Sequence, residues 1–591
     1  MNSSHPDFIG IEIPEIIHQK LVGLTPPRAH FLYGTKYEKS WQIMKAILSY
    51  GLGAAMFVGV LYAYIVGFTL IHDNDYYIGF GVYGSIMVCH LFVQTIFAYA
   101  NKIRNKKILL KPLKEYPKVG IQISSYKEDP NYLRLCLQSL RDLNYPKDKI
   151  KLMLCIDGNK DEDMYMSEIF KEVFVNGQIF RWAHNYHYMP KINTGVQDLR
   201  NIVKKNYASC CLQRWNGKRE VMLTAFKTFQ NVKYYLVTDS DTIFDSNSLI
   251  TLIKVIESSD KIGAVGGNVA VLNSGDSFIT FLSYLRYKMA FNNERAAQSW
   301  FGCVSCISGP EGLYRADLVD SIVHLWADQM FLGSDCTFGD DRHLTNRILQ
   351  LGYQTRYCAV ATCDTETPST YLRWLNQQIR WGKSYYREWL FNSMWFHKHS
   401  LWMVYESILS GVFTWLIMAT VLWTLYSGNL WAINNLLIII QVMGIAKGIG
   451  AAFIVHDWRM IYMSMYSSLY VTSLLPAKVY SLLTMKKKKW GTSGRNILKS
   501  NFEGLIPVTV WGVICGGGIF YTLSVDTRYH DIELDLKKFH FFMISGSIIY
   551  VSYWVIFFVG YFTIIKPTLI SKQEYEEKHF RCKNANDRGD E

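Results

Sequence analysis

Long runs of apolar residues lie near both ends of the chain, and residues 102–399 between them contain no run of comparable length. A helix needs roughly 20 mainly apolar residues to cross a bilayer. Seven runs approach or exceed that length: 46–71, 77–100, 407–430, 431–455, 461–485, 505–525 and 541–565. The pattern predicts a polar domain inserted between two groups of membrane spans.

The basic residues around these runs predict an orientation. The connector HDNDY between the first two runs has no Lys or Arg, whereas NKIRNKK directly after the second run is strongly basic. Basic flanks favour the cytoplasmic side. The run 461–485 contains Pro476 and Lys478 and continues into KKKKW, so a span there would leave several lysines outside. We therefore expect an interfacial or re-entrant segment at 461–485, six spans in all, and both termini in the cytoplasm.

Short β-rich runs alternate with helical patterns in the central segment. We expect strands at 119–125, 150–156 and 233–237, with a helix over 131–143. Alternation of this kind is typical of an α/β domain with a mostly parallel sheet.

Acidic residues follow each of these strands. Tyr126-Lys127-Glu128-Asp129 follows the first, Asp157-Gly158-Asn159 the second and Asp239-Ser240-Asp241 the third. Ligands of open α/β sheets bind at the carboxyl ends of the strands. Two carboxylates at i and i+2 suit a hard divalent cation and its bound diphosphate. A solvated turn is the alternative for a D-x-D alone, but the acids at three strand ends favour a metal–nucleotide site.

Two further motifs precede the second group of apolar runs. Asp340 and Asp341 begin a helical pattern, where paired acids could simply favour the helix dipole. We expect one of them, Asp341, to be a general base. The motif Gln377-Gln378-Ile379-Arg380-Trp381 lies in an aromatic helical stretch whose flanks read as an amphipathic helix at the membrane surface. Arg380 beside Trp381 suits a diphosphate contact next to a platform for a sugar ring.

Composition narrows the class of protein. Half of the residues are hydrophobic, 19% are charged and the formal net charge is +13. The basic residues cluster beside the apolar runs, so a membrane surface and an anionic substrate are more plausible partners than nucleic acid. Cys303-x-x-Cys306 has no second pair at zinc spacing, and we expect buried reduced thiols.

Longer strings carry a resemblance to a known family. They include GKREVMLTAF (217–226), CISGPEGLYR (306–315), FGDDRHLTNR (338–347), TETPSTYLRWLNQQIRWGKSYYREWL (365–390), MWFHKH (394–399) and WGTSGR (490–495). Together with YKED and DSD, they resemble the processive membrane glycosyltransferases of the cellulose, chitin and hyaluronan synthase group, and most of all the animal-type hyaluronan synthases. The resemblance covers residues 40–565.

This resemblance implies a GT-A type cytosolic domain within an α-helical transmembrane domain of six spans plus amphipathic interfacial helices. It implies alternate transfer of N-acetylglucosamine and glucuronate from UDP-GlcNAc and UDP-GlcA, with Mn²⁺ or Mg²⁺ as cofactor. The hyaluronan chain would be exported through the protein's own pore in the plasma membrane, and oligomerisation would be possible but not required. A chitin-type synthase that uses UDP-GlcNAc alone is the alternative.

The resemblance also implies residue roles. Nucleotide or substrate contacts are implied for Tyr126, Glu128, Asp129, Asp157, Lys218, Arg219, Asp239, Gln377, Gln378, Arg380 and Trp381. Trp490, Thr492 and Arg495 match a gating loop over bound UDP. Asp241 matches the direct metal ligand, and Asp341, next to Asp340, matches the catalytic base.

This chain departs from the family at one position, and the resemblance also predicts how the chain divides into segments. The family usually has Leu where this chain has Glu311, and we expect this carboxylate near the acceptor tunnel or in solvent. The expected segments are an N-terminal segment (1–40), two spans (41–100), the catalytic domain (101–365), an interfacial helix (366–400), two spans (401–456), an interfacial segment with the gating loop (457–500), two spans (501–566) and a tail (567–591).

Overall fold

The computed structural model describes residues 36–72, 76–187, 195–487, 501–525 and 533–578. Two long helices come first, α1 (Lys36–His72) and α2 (Tyr76–Leu109). They contain the first two apolar runs. The α/β domain follows them.

A nine-stranded mixed sheet forms the centre of this domain, in the order β3-β4-β2-β1-β5-β8-β7-β11-β6. The strands are β1 (Val119–Ser125), β2 (Ile150–Asp157), β3 (Gln178–Arg181), β4 (Ala208–Gln213), β5 (Tyr234–Asp239), β6 (Ile243–Phe244), β7 (Ile262–Val271), β8 (Gly312–Arg315) and β11 (Gln354–Thr365). The first five in spatial order are parallel, and β8 is antiparallel to both of its neighbours. A separate hairpin joins β9 (Met330–Phe331) to β10 (Ser334–Asp335).

Helices cover both faces of the sheet, so its inner strands are buried along most of their length, including polar side chains such as Gln122 and Ser209. Every residue of β1 and β4 is buried. Strands buried on both faces read as continuous apolar runs. The three expected strands and the helix at 131–143 are confirmed, with ends that differ by one or two residues.

The α/β domain contains the helices α3 (Pro130–Arg141), α4 (Met164–Val173), α5 (Gly195–Lys205), α6 (Lys218–Thr228), α7 (Ser248–Ile256), α8 (Phe278–Met289), α9 (Ala296–Trp300), α10 (Ala316–Ala327) and α11 (Asp340–Gln350), and helix α12 (Tyr371–Ser393) follows the domain. A π-helix, Ala290–Arg295, joins α8 to α9. The long helix α12 carries the QQIRW motif.

Further helices complete the described chain: α13 (Leu401–Leu425), α14 (Leu430–Val455), α15 (Met463–Leu469), α16 (Leu475–Leu483), α17 (Leu505–Val525) and α18 (Glu533–Gly560). Within the described residues, four helical segments are long and apolar enough to cross a membrane: Leu401–Leu425, Leu430–Val455, Phe502–Val525 and Ile544–Lys578. The expectation of six spans stays a prediction.

The segment 461–485 is broken rather than continuous. A 3₁₀ turn (Trp458–Tyr462) precedes α15, and a π-helix (Tyr470–Leu474) joins α15 to α16. Ser481 of α16 donates a hydrogen bond to the carbonyl of Ile379 in α12, at 3.0 Å. The segment therefore packs directly under the QQIRW helix, and its interfacial placement remains a prediction.

Candidate active site

A cavity of about 1370 Å³ lies at the carboxyl ends of the parallel strands. The residues around it come from the strand ends, from the start of α11 and from α12. Of the predicted site residues, its lining includes Tyr126, Glu128, Asp157, Lys218, Asp239, Asp241, Asp340, Asp341, Gln377, Gln378, Arg380 and Trp381.

The order of strands explains why the acids converge. Strand β1 lies between β2 and β5, and Ser124 of β1 is in register with Asp239 of β5. The residues after all three strands thus meet at one edge. Glu128 accepts a hydrogen bond from Ser240 Oγ at 2.9 Å, which joins the YKED turn to the DSD turn.

The two aspartates of the D-x-D motif have different surroundings. Lys218 Nζ donates to Asp239 Oδ1. Burial raises the pKa of Asp239, with Lys218 opposing the shift and Asp241 adding to it. Asp241 accepts a hydrogen bond from Thr365 Oγ1 at 3.0 Å. Because the ammonium already engages Asp239, Asp241 is the better placed carboxylate for a cation.

These donors fit a divalent cation of the Mg²⁺ or Mn²⁺ type. Both aspartates offer hard oxygen atoms at a cavity wall, and such ions keep coordination positions for phosphate oxygens and water. Among the described residues, no group of three or more His, Cys, Asp or Glu side chains could hold a metal alone.

Asp157 supports the loop that precedes α6. Its two carboxylate oxygens accept hydrogen bonds from the backbone N–H groups of Asn216 and Gly217, at 2.9 and 2.8 Å. Burial raises the pKa of Asp157 to about 7, although those two bonds oppose the shift. The loop holds Lys218 at the cavity.

Two predicted site residues lie behind the cavity wall. Asp129 caps helix α3 by accepting from the backbone N–H of Asn131 at 2.9 Å. Arg219 is buried, and its Nε donates to Asp340 Oδ1 at 2.8 Å. Their neighbours Glu128 and Lys218 line the cavity in their place.

Asp341 is oriented by main-chain groups. Asp341 Oδ1 accepts a hydrogen bond from the backbone N–H of Arg342 at 2.8 Å, and Asp341 Oδ2 accepts one from the backbone N–H of Gly309 at 3.3 Å. Cys306 Sγ lies 3.6 Å from the same Oδ2, and burial raises the pKa of this thiol to about 11. Since Asp340 is held by Arg219, Asp341 is the member of the pair that can accept a proton from a ligand.

A buried carboxylate joins α11 to α12. Glu388 of α12 accepts hydrogen bonds from Gln329 at 2.8 Å and from Asn346 at 3.0 Å, and it lies 3.0 Å from His343 Nδ1. Burial would raise the pKa of Glu388, but His343 and the other partners lower it to about 2. This network fixes the QQIRW helix against the helix that begins with the paired aspartates.

Gly339 permits that close approach. It has φ +80°, a left-handed conformation that favours glycine. A Cβ at this position would also clash with Ser384 of α12.

The QQIRW motif presents a cation and an aromatic face to the cavity. Burial lowers the pKa of Arg380, while Asp341, Asp340 and Asp239 raise it. Trp381 is 37% exposed, and its ring lies 6.4 Å from that of Tyr287. Arg380 can meet a diphosphate, and the two rings can contact a sugar.

The sequence reasoning missed some cavity residues and named others that lie elsewhere. Arg295 lines the cavity and donates to Ser308 Oγ at 2.5 Å. No sequence signal distinguishes it from neighbouring charged residues on α8 and the π-helix. Trp490, Thr492 and Arg495 of the expected gating loop lie outside the described residues.

Glu311 corrects an expectation. It lies neither at the cavity nor in solvent, because its side chain is completely buried beside β7 and α7. Its Oε1 accepts a hydrogen bond from Ser248, and burial raises the pKa of Glu311 to about 7. Residues 308–310 line the cavity, while the side chain of the next residue, Glu311, is buried in the core.

The fold and site define a class of protein. A mixed sheet with acidic turns at its parallel strand ends, a D-x-D motif and an overlying aromatic helix form a GT-A-like glycosyltransferase domain. Helices long enough to span a bilayer follow it, so this is a membrane glycosyltransferase. In agreement, residues 194–384 match the family described as "Glycosyltransferase like family 2".

Curated relatives identify the family. Hyaluronan synthase 2 of Xenopus laevis is 45% identical over 532 residues, which cover 88% of this chain and 96% of the relative. Hyaluronan synthase 3 of Homo sapiens is 46% identical over 533 residues, covering 88% and 95%. The chain belongs to the hyaluronan synthase family.

Among solved structures, the mannosyltransferase PcManGT from Pyrobaculum calidifontis, in complex with GDP-Man and Mn²⁺, matches with a TM-score of 0.40. The identity is 15%, over 68% of this chain and 96% of that one.

Proposed function

We propose that this protein polymerises hyaluronan by transferring N-acetylglucosamine and glucuronate alternately from UDP-GlcNAc and UDP-GlcA. The observation that carries this proposal is the single cavity in which the D-x-D aspartates, Asp341 and the QQIRW side chains face one another. Family membership supports the choice of hyaluronan over chitin.

The proposed reaction is a single inverting displacement. Asp341 accepts the proton of the acceptor hydroxyl, whose oxygen forms a bond to the donor's anomeric carbon as the bond from that carbon to UDP breaks. The backbone N–H of Gly309 holds the Asp341 carboxylate in place. Transfer with one such base inverts the anomeric configuration.

The remaining residues bind the donor and the acceptor. Tyr126 and Glu128, which line the cavity, would contact the uridine, and Lys218 and Arg380 would contact a diphosphate bound at the D-x-D. Mn²⁺ or Mg²⁺ held by Asp241 would stabilise the departing diphosphate. Trp381 would stack on the acceptor sugar, in keeping with its exposed ring face.

The membrane placement is also part of the proposal. The catalytic domain and both termini would lie in the cytoplasm, with the helical segment guiding the polymer across the plasma membrane. The basic stretch directly after the second apolar run supports this orientation. An accessibility assay on intact cells, with cysteines placed in the HDNDY connector and in the tail, would test it.

The decisive test of the activity uses purified protein in nanodiscs with Mn²⁺. UDP-GlcNAc and UDP-GlcA are supplied singly and together, and the products are treated with hyaluronidase. We expect a large hyaluronidase-sensitive polymer only when both donors are present. A hyaluronidase-resistant polymer from UDP-GlcNAc alone would instead identify a chitin-type synthase.

A further inference from the structure

The segment after the last apolar helix turns back onto the catalytic domain. We call residues 569–577 the C-terminal strap. The carbonyl of Ile570 accepts a hydrogen bond from Gly275 N–H at 2.8 Å, and the backbone N–H of Lys572 donates to Asp276 Oδ1, also at 2.8 Å. These bonds hold the strap beside the turn that follows β7.

Tyr575 anchors the strap in an apolar cluster. Its side chain is 8% exposed and packs with Tyr132 and Leu135 of α3, Ile243 of β6 and Leu272. The strap is thus built into a small core of its own.

One strap residue reaches the turn that carries the YKED motif. Lys572 Nζ lies 3.2 Å from Asp129 Oδ2 and 4.2 Å from the centre of the Tyr132 ring. A cation beside a helix N-terminus is unfavourable, so this position depends on the Asp129 carboxylate. The preceding residue, Glu128, accepts from the Asp129 N–H at 3.0 Å and lines the cavity.

A second strap residue contacts the end of β11, whose last residue, Thr365, lines the cavity. Tyr575 Oη donates to Asp364 Oδ2 at 2.8 Å. Thr365, the neighbour of Asp364 at the end of β11, donates to Asp241. The strap is therefore one residue (Asp129) removed from Glu128 at the nucleotide wall, and two residues (Asp364 and Thr365) removed from the proposed metal ligand Asp241.

We propose that Lys572 and Tyr575 are positioning residues that hold the YKED turn and the end of β11 at the spacing needed to bind UDP. They act through Asp129 and Asp364 and touch no ligand themselves. The proposal rests on the proposed function only in taking UDP as the ligand of the cavity. It also links the last membrane helix mechanically to the nucleotide end of the site.

The test measures UDP binding directly, by calorimetric titration of the full-length protein in nanodiscs with Mn²⁺. Tyr575→Phe removes one hydrogen bond to a carboxylate, and we expect the Kd of UDP to rise by about fivefold. Lys572→Met removes a partly exposed ion pair, so the expected rise is about threefold. Lys572→Arg keeps the cation and should restore wild-type affinity.

Two controls use the same part of the chain. Lys578→Met alters an exposed lysine just beyond the strap, and a stop codon after Lys578 leaves the strap intact. Both should bind UDP as the wild type does. In polymer assays, the strap variants should raise the KM of each donor while kcat changes by less than about twofold.

The affinity measurement separates the strap from the assignment of the product. If UDP affinity falls as expected, the proposal holds whatever polymer is made. If Tyr575→Phe and Lys572→Met fold normally and bind UDP with unchanged affinity, the strap is only an anchor for the tail and the proposal is wrong.

Discussion

Replacing Glu311 by Gln changes the charge of a completely buried side chain without changing its shape. Ser248 donates to this carboxylate, and β7 passes so close at Gly267 that a side chain there would clash with it. Within the described part of the chain, no Lys, Arg or His forms a salt bridge with Glu311. Ionisation is therefore opposed mainly by burial, which raises the pKa of Glu311 to about 7.

The contribution of Glu311 to the free energy of folding follows from the difference between its pKa in the folded protein and its ordinary pKa. The ordinary pKa of a glutamate side chain is 4.5, and the pKa of Glu311 in the folded protein is about 7. At about 1.4 kcal/mol per pKa unit, the displacement corresponds to about 3 kcal/mol of folding free energy. The folded state binds the extra proton, so the contribution of Glu311 is complete below pH 4.5 and is lost as pH rises through about 7.

The assay compares the melting temperatures of wild type and Glu311→Gln from acidic to alkaline pH, in the same detergent and at one scan rate. The amide does not titrate, so the difference between the two curves isolates Glu311. The wild type should lose roughly 5 °C relative to the variant between pH 5 and pH 8.5. Glu115→Gln, at an exposed position, is the matched control and should follow the wild type.

Parallel curves for wild type and Glu311→Gln would refute this reasoning. They would mean that the carboxyl group ionises at its ordinary pH and is therefore solvated or paired with a cation. If the melting temperature of Glu311→Gln relative to that of the wild type fell as pH rises, the sign would be opposite to the one predicted.

Three further substitutions test the site. Asp241→Ala should weaken Mn²⁺-dependent UDP binding by about tenfold or more, and EDTA should no longer change the remaining affinity. Asp245→Asn, a control substitution at an exposed position, should have no such effect. Trp381→Ala should shorten the product and weaken acceptor engagement by about tenfold, with Trp381→Phe milder, as gel filtration of the polymer would show. Arg219→Met leaves the Asp340 carboxylate buried without its partner, so stability should fall by about 3–5 kcal/mol in thermal unfolding. UDP binding by the wild type that does not depend on metal would contradict the assignment of Asp241. Full-length polymer from Trp381→Ala would contradict the role of Trp381, and a stable Arg219→Met protein would contradict the role of Arg219 as the partner of Asp340.

The convergence of the acidic turns could be predicted because parallel strands place their carboxyl ends at one edge. The runs that became β1, β2 and β5 end in Tyr126-Lys127-Glu128-Asp129, Asp157 and Asp239. Their order in the sheet was not predicted, yet any adjacent arrangement would bring these residues together. A separate signal, the helical spacing of apolar residues after Asp341, predicted that Asp341 lies at a helix start.

Contacts between distant segments could not be predicted in the same way. Arg219 belongs to a motif rich in site residues, but it pairs with Asp340, 121 positions away. Asp129 lies in another such motif, and its case is local: the same carboxylate can cap a helix or contact a ligand, and the motif alone does not distinguish the two. Alternation along the short strand β8 was too weak to show that Glu311 points into the core. The strap was missed because its partner Asp129 lies 443 positions from Lys572.

Asp341→Asn tests the central claim most directly, with polymer synthesis and UDP affinity measured on the same preparation. The substitution keeps the side chain's size and one of its two acceptor oxygens, so one of the hydrogen bonds from Arg342 N–H and Gly309 N–H can remain, but it removes the base. We expect hyaluronan synthesis to fall by about a hundredfold or more while the Kd of UDP stays close to that of wild type. Substantial polymer synthesis by Asp341→Asn would contradict the assignment of the base, and loss of UDP binding would place Asp341 in the nucleotide site instead.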